Sequence, residues 1–248
     1  MDNWDNHWVN ERKKLKNPIK RNNYFNYRLV KELQKHVNLS GFDSIELGCG
    51  TGRLSNFLSQ YVNSVTLVDN SVPGLDIANE LLGGKTAVLL GNHRFPTHQT
   101  KFDIMKKDLL KMKIHKQYDL VISSGLVEHF KGKEFHKLIK LHSDLTSKGK
   151  YCCFVFPSNN SHQRKSVKKK SSIEKYGWQN PKLEDFFISL LPKDLKVVVS
   201  KRIDYFSRVP YFFMALHRVL FHYLRIDLNS SWVEYKYGGY VFVLTKKA

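Results

Sequence analysis

Four residues whose type and spacing could do chemistry stand at alternate positions: Glu46, Gly48, Gly50 and Gly52, in Ser44-Ile45-Glu46-Leu47-Gly48-Cys49-Gly50-Thr51-Gly52-Arg53-Leu54-Ser55. A short apolar run ends at the acid, three glycines follow, and a helix-like pattern starts at Arg53. A strand, a tight loop and a helix N-terminus lay a nucleotide-like cofactor against bare backbone. Glycine is needed there because a Cβ blocks close approach and the turn requires positive φ. The spacing narrows the cofactor. A dinucleotide fingerprint reads G-x-G-x-x-G, and its third glycine would fall on Arg53 or on Ser55, depending on the frame. Neither is glycine, so a pyrophosphate cofactor is disfavoured. No Gly-Lys-Ser/Thr follows, so the P-loop is excluded as well.

Further acids follow in order. Val65-Thr66-Leu67-Val68-Asp69 is a β-branched run that ends in a carboxylate about 20 residues after the glycines; an acid at the tip of a second strand can accept both hydroxyls of a ribose. Then come Phe102 to Leu109 with Asp108, Tyr118 to Phe130 with Glu128-His129, and Leu145 to Pro157. These five motifs, spread over residues 40–157, together resemble class I S-adenosylmethionine (SAM)-dependent methyltransferases. The resemblance implies that Asp69 is the ribose-binding acid and that Asp108 meets the adenine amino group. It also implies a cofactor wall of Glu46, Gly48, Cys49, Gly50, Gly52, Asn70, Leu109, Ser123 and Ser124.

Methyl transfer from a sulfonium asks mainly for alignment of the nucleophile and exclusion of water. A hydroxyl or amine acceptor adds the need for a base. His129 is the leading candidate, because it follows the fourth strand at the rim where ligands bind in such sheets. The same position also suits a capping or core histidine. Glu128 beside it could orient the imidazole or bind the acceptor; His93 and His162 are weaker candidates. The eleven histidines have no metal-ligand spacing, and no metal is expected. Methyltransferases of exocyclic base amines carry an Asn/Asp/Ser-Pro-Pro-aromatic motif after the fourth strand. Ser123-Ser124-Gly125-Leu126 stands there instead, and the Pro-Cys of the cytosine-C5 type is absent too.

These residues need a scaffold, and the alternation of strand and helix patterns supplies one. The expected fold is α/β, a Rossmann-like, seven-stranded, mostly parallel sheet with helices on both faces and an antiparallel last strand. Strands are expected at 43–47, 65–69, 102–105, 118–123, 150–156, 195–199 and 240–245. Helices are expected at 22–35, 53–61, 73–82, 133–144 and 182–190. Residues 1–38 read as an N-terminal helical lid, broken at Asn17-Pro18, and 39–248 as the SAM-binding domain. Within that domain, 158–182 is a polar, basic loop. Residues 210–226 form an apolar cap helix with Arg218, His222 and Arg225 in one stripe.

Composition sets the remaining bounds. A net charge of +19, from 41 Lys+Arg against 22 Asp+Glu, calls for an anionic partner or a Lys-rich solvated surface. Its densest cluster is 164–170, where weak, non-specific nucleic-acid binding is expected. Cys49, Cys152 and Cys153 suggest no disulfide framework, since neighbours on a strand face opposite ways. No signal-like or membrane-spanning run is present. The expectation is a cytoplasmic methyltransferase acting on oxygen or nitrogen of a small-molecule or lipid-linked acceptor. Residues 210–226 offer a peripheral membrane contact. An RNA (tRNA or rRNA) methyltransferase and a non-catalytic SAM-binding protein are the other readings, and the oligomeric state is not legible.

Overall fold

The computed structural model describes residues 2–14, 23–83, 100–159, 173–174, 177–180, 182–203 and 239–248. The expected cap helix 210–226, the basic cluster 164–170, His93 and His162 lie outside these residues.

Five β-branched or apolar runs form the parallel part of one sheet: β1 (Asp43–Leu47), β2 (Ser64–Asp69), β3 (Lys101–Lys106), β4 (Tyr118–Ser124) and β5 (Thr146–Pro157). β6 (Leu195–Ile203) and β7 (Tyr240–Lys247) complete it. The strand order is β3-β2-β1-β4-β5-β7-β6, and only β7 runs antiparallel to its neighbours. The central strands are buried on both faces, which is why they read as apolar runs without alternation. Their side chains nonetheless divide strictly by parity. Leu120, Ile122, Cys153, Val155, Phe242 and Leu244 enter one core. Val121, Cys152, Phe154, Phe156, Val241 and Val243 enter the other. Cys152 and Cys153 are thus buried free thiols on opposite faces.

Helices cover both faces. α2 (Asn23–Gln34), α3 (Arg53–Leu58) and α4 (Val72–Gly83) close the first core through Leu29, Leu33, Leu54, Phe57, Leu75 and Ala78. α5 (Gly132–Leu145) and the one-turn α6 (Leu183–Phe186) close the second through Leu138, Ile139, Leu145 and Leu183. α1 (Asp2–Lys14) lies outside this frame, against α4.

Four elements depart from the sequence reading. α3 stops at Leu58 rather than at 61. β5 begins at Thr146 rather than at 150. The Lys148-Gly149 turn is absorbed as a bulge: pairing jumps from Tyr118↔Thr146 to Leu120↔Tyr151, with Gly149 at φ 75°. The expected helix 182–190 is a turn of α-helix followed by a 3₁₀ turn, Ile188–Leu190. β6 continues to Ile203 because its ladder with β7 runs that far, past a register shift at Val197/Val199.

The order places β1 beside β4, with β2 and β5 on either side of that pair. Connections leave the two neighbours in opposite directions, so a crevice opens beyond their carboxyl ends. Ligands of open α/β sheets bind at this switch point. The glycine loop after β1 and the Glu128-His129 segment after β4 are its two walls.

Candidate active site at the switch point

The glycine loop is shaped by backbone that only glycine adopts without strain. Gly48, Gly50 and Gly52 have φ of 67°, 52° and 66°. Their surroundings differ. A Cβ on Gly48 would come within 2.6 Å of Leu126 Cδ1, across the crevice. A Cβ on Gly50 would come within 2.7 Å of the Trp8 ring. Cys49 is buried, and burial pushes its thiol far above the ordinary range.

Glu46 serves the first turn of α3. Gly52, at the N-cap of α3, has no side chain to cap with. The carboxylate of Glu46 takes over, accepting from Ser55 N at 3.0 Å and from Ser55 Oγ. That satisfies one of the N–H groups the first turn leaves orphaned. Burial outweighs those two bonds and raises Glu46 to about 8.

Asp69 ties the tip of β2 to the loop. It accepts from Gly50 N at 2.8 Å and from Ser71 N at 2.9 Å, and burial raises its pKa. Asn70 beside it is exposed. Lys107 N donates to the Asp69 carbonyl at 2.9 Å. This places Asp108 on the same edge, where its carboxylate accepts from Leu110 N at 3.0 Å and caps a 3₁₀ turn. Leu109 packs on the second core. On the β4 side, Ser123 turns inward. Its hydroxyl is fully buried and 2.9 Å from His142 Nε2, so only its backbone can face the crevice. Ser124 is half-buried at the strand end.

Glu128 and His129 share a 3₁₀ turn, Val127–His129. The imidazole Nδ1 is 3.0 Å from the Trp178 carbonyl, an acceptor only, so Nδ1 carries the hydrogen and Nε2 the lone pair. Burial lowers His129 to about 4. Its Nε2 is 4.0 Å from Glu128 Oε1. Glu128 is 3% exposed, and its Oε2 has no hydrogen-bond partner among the described residues. Burial lifts this carboxyl to about 8. Asn180 N donates to the Glu128 carbonyl at 2.7 Å. The short segment 178–180 therefore clamps both residues of the pair. Polar sequence without periodicity gave no signal of this.

α1 spans the two walls. Asp5 accepts from Ser71 Oγ at 2.6 Å, and Arg12 pairs with Glu80 on α4. Trp8 lies over Gly50 and Gly74. Trp4 stacks on Trp8 at 6.0 Å and meets His129 edge-on at 5.1 Å. Trp4 and Trp8, four residues apart, lie on one face of α1.

A glycine cradle, an acid at the tip of β2, a second acid at the tip of β3 and a Glu-His pair after β4 meet at one switch point of a seven-stranded sheet. That combination defines a class I methyltransferase. The profile of the methyltransferase domain family matches residues 19–195, and the chain belongs to that family. Malonyl-[acyl-carrier protein] O-methyltransferase of Calditerrivibrio nitroreducens is 23% identical over 141 residues, covering 56% of this chain and 49% of that protein. The chain thus spans about half the length of that curated relative. Among solved structures, the N-methyltransferase NodS of Bradyrhizobium japonicum with bound S-adenosylhomocysteine (SAH) superposes with a TM-score of 0.55 at 11% identity, over 95% of this chain and 90% of that one. Magnesium protoporphyrin IX methyltransferase of Synechocystis, also with bound SAH, gives a TM-score of 0.53 at 14% identity, over 91% and 83%. No helix among the described residues is long and apolar enough to cross a membrane.

Proposed function

We propose that this protein transfers a methyl group from SAM to a nitrogen or oxygen of a small-molecule acceptor. The observation that carries the reading is the pairing of the two walls at the switch point. One wall is glycine backbone, covered here by Leu126 and Trp8, with Asp69 and Asp108 at its side; the other is Glu128-His129. The residues suit the cofactor: Gly48 and Gly50 leave the loop without Cβ atoms, and two carboxylates stand where a ribose and an adenine would follow the loop along the strand ends. When bound, SAM supplies a methyl group already activated on a positive sulfur.

The chain's own residues then bind, orient and manage a proton. Asp69 accepts from ribose hydroxyls, and Asp108 accepts from the adenine amino group. α1, the described part of the 1–38 segment, acts as a lid, because Trp8 and Trp4 bridge the walls and keep water out. His129 presents a fixed lone pair at Nε2 but holds a proton weakly; Glu128, 4.0 Å on, holds one strongly. A proton released by the acceptor comes to rest on Glu128 whenever that carboxyl is ionised. The lipid-linked form of the acceptor rests on residues 210–226, outside those described.

Calorimetry tests the cofactor directly. SAM and SAH should bind and NAD should not. Binding of NAD alone would overturn the reading.

A further inference from the structure

The Glu128 carboxyl, at the edge of the crevice, is short of a hydrogen-bond partner among the described residues. The carboxyl is almost fully buried and its Oε2 has no partner among the described residues. Buried polar atoms are nearly always paired, and a buried carboxylate needs a cation or a set of donors. His129 cannot supply either. Its one hydrogen is committed to the Trp178 carbonyl, and its Nε2 offers only a lone pair. Lys131, two residues on, is turned to the Trp178 ring, 5.4 Å from its centroid. No group of three His, Cys, Asp or Glu able to hold a metal exists among the described residues.

The surroundings of this carboxyl are well defined. Gly125, exposed and at φ 72°, leaves Glu128 Oε1 3.8 Å from the place a Cβ would take. His129 Nε2 bounds it at 4.0 Å. Trp4 stands over His129, with its ring planes at 85° to the imidazole. A carboxylate, a lone-pair nitrogen and an indole are three groups that attract N–H hydrogens and positive charge. A hydroxyl carries one hydrogen and no charge. An ammonium carries three hydrogens and a positive charge, which favours the ionised form of Glu128.

We propose that the acceptor is an amine, seated as its ammonium by Glu128, His129 and Trp4. This rests on the methyltransferase reading and adds the substrate class to it. The seated ammonium gives one proton to Glu128. The amine lone pair then forms the new N–C bond, while the electrons of the broken C–S bond stay on sulfur. The second proton, from the methylated nitrogen, leaves with the product as its ammonium. The other cation in such a site is the sulfonium of the cofactor. Leu126 is the side chain nearest a Cβ placed on Gly48, and it stands between the glycine loop and this turn, which favours the acceptor.

The test uses n-butylammonium as probe, with n-butanol as its neutral counterpart, titrated into the SAH-bound protein and followed by calorimetry. The ammonium should bind at least tenfold tighter than the alcohol. Glu128→Gln should abolish that preference with SAH affinity kept, and Trp4→Ala should weaken it severalfold relative to SAH binding measured on the same variant. Glu128→Asp, which retains the charge, should restore part of the preference if the Gln variant is less stable. Equal binding of ammonium and alcohol would overturn the proposal. So would a Glu128→Gln variant that loses the difference between SAM and SAH while the butylammonium preference persists, because the seat would then belong to the sulfonium. Failure of SAH itself to bind would instead sink the methyltransferase reading on which the proposal stands.

Discussion

At the scale of the residue, the site depends on what burial does to a few side chains. Asp69 spends both carboxylate oxygens on backbone N–H groups, of Gly50 in the loop and of Ser71 just ahead of α4, at 2.8 and 2.9 Å. Lone pairs remain for a ribose, and hydrogen bonds to a charged acceptor are worth about 1.5–3 kcal/mol each. Asp69→Ala is therefore expected to weaken SAH binding at least tenfold by calorimetry; unchanged affinity would remove Asp69 from the site. The Glu-His pair predicts a pH profile. Glu128 must be ionised to receive a proton, and burial sets it at about 8, whereas His129 is already neutral above about 4. kcat/KM should thus climb with pH and level off above about 8, with no inflection near the ordinary histidine range. His129→Ala should lower turnover by about 10²–10⁴-fold while SAH affinity stays. A parallel loss of both would make the histidine part of the cofactor pocket or of the core.

At the scale of the element, α1 has few anchors. Its ion pair between Arg12 and Glu80 is exposed on both sides, so it contributes little. Trp8 packs on Gly50 and Gly74, and Trp4 on His129. Trp8→Ala should free the helix, and stopped-flow measurement should then give an SAH off-rate at least tenfold faster with a similar on-rate. Tighter SAH binding in that variant would mean that Trp8 occupies the cofactor's own place. How much of this was legible in the sequence varies by element. Strands buried on both faces announce themselves as apolar runs, so β1 matches its expected bounds and β2, β3 and β4 fall within a residue of theirs. Gly149 misled because a glycine reads as a turn, while a ladder on both sides of it makes a bulge. The glycine loop was legible as a turn, because alternate glycines mark positive φ. The bond between Glu46 and Ser55 was not, since it exists only once β1 and α3 lie side by side. Ser123 faces His142 for a similar reason: strand parity, not motif membership, decides which way a side chain points. Trp178 and Asn180 reach Glu128-His129 from about 50 positions away, through a contact that has no period to betray it.

At the scale of the whole molecule, the buried titrating groups pull stability in opposite directions, and the signs can be worked out. Glu32, held by Lys35, Lys201 and His36, and Asp43, bonded by Lys116, Ser64 and Asn63, are both lowered to about 2. Their contribution is present above the ordinary carboxylate range and is lost as pH falls towards 2. His129 and His142 are lowered to about 4 from 6.5, so the fold gains stability as pH rises between those values. Glu46 and Glu128 are raised from 4.5 to about 8, so the fold takes up protons that the unfolded chain has released. Their contribution is complete below 4.5 and is lost as pH climbs to 8. Asp69, also raised, acts in the same sense. Between 4.5 and 6.5 the two histidines and the two glutamates roughly cancel. From 6.5 to 8 only the losses remain, at up to about 1.4 kcal/mol per pH unit for each carboxyl. The ligand-free protein should therefore be most stable near pH 5–6, and should lose ground towards pH 8 rather than hold a neutral plateau. Guanidinium unfolding at pH 5.5, 6.5 and 8 measures this as a falling midpoint. Glu46→Gln, which fixes one carboxyl in its neutral form while keeping an oxygen for Ser55 N, should roughly halve the fall. A midpoint that rises from pH 6.5 to 8, or a Gln variant with the wild-type slope, would mean that Glu46 is a carboxylate in the folded chain, stabilised by the N-terminus of α3 more than burial disfavours it.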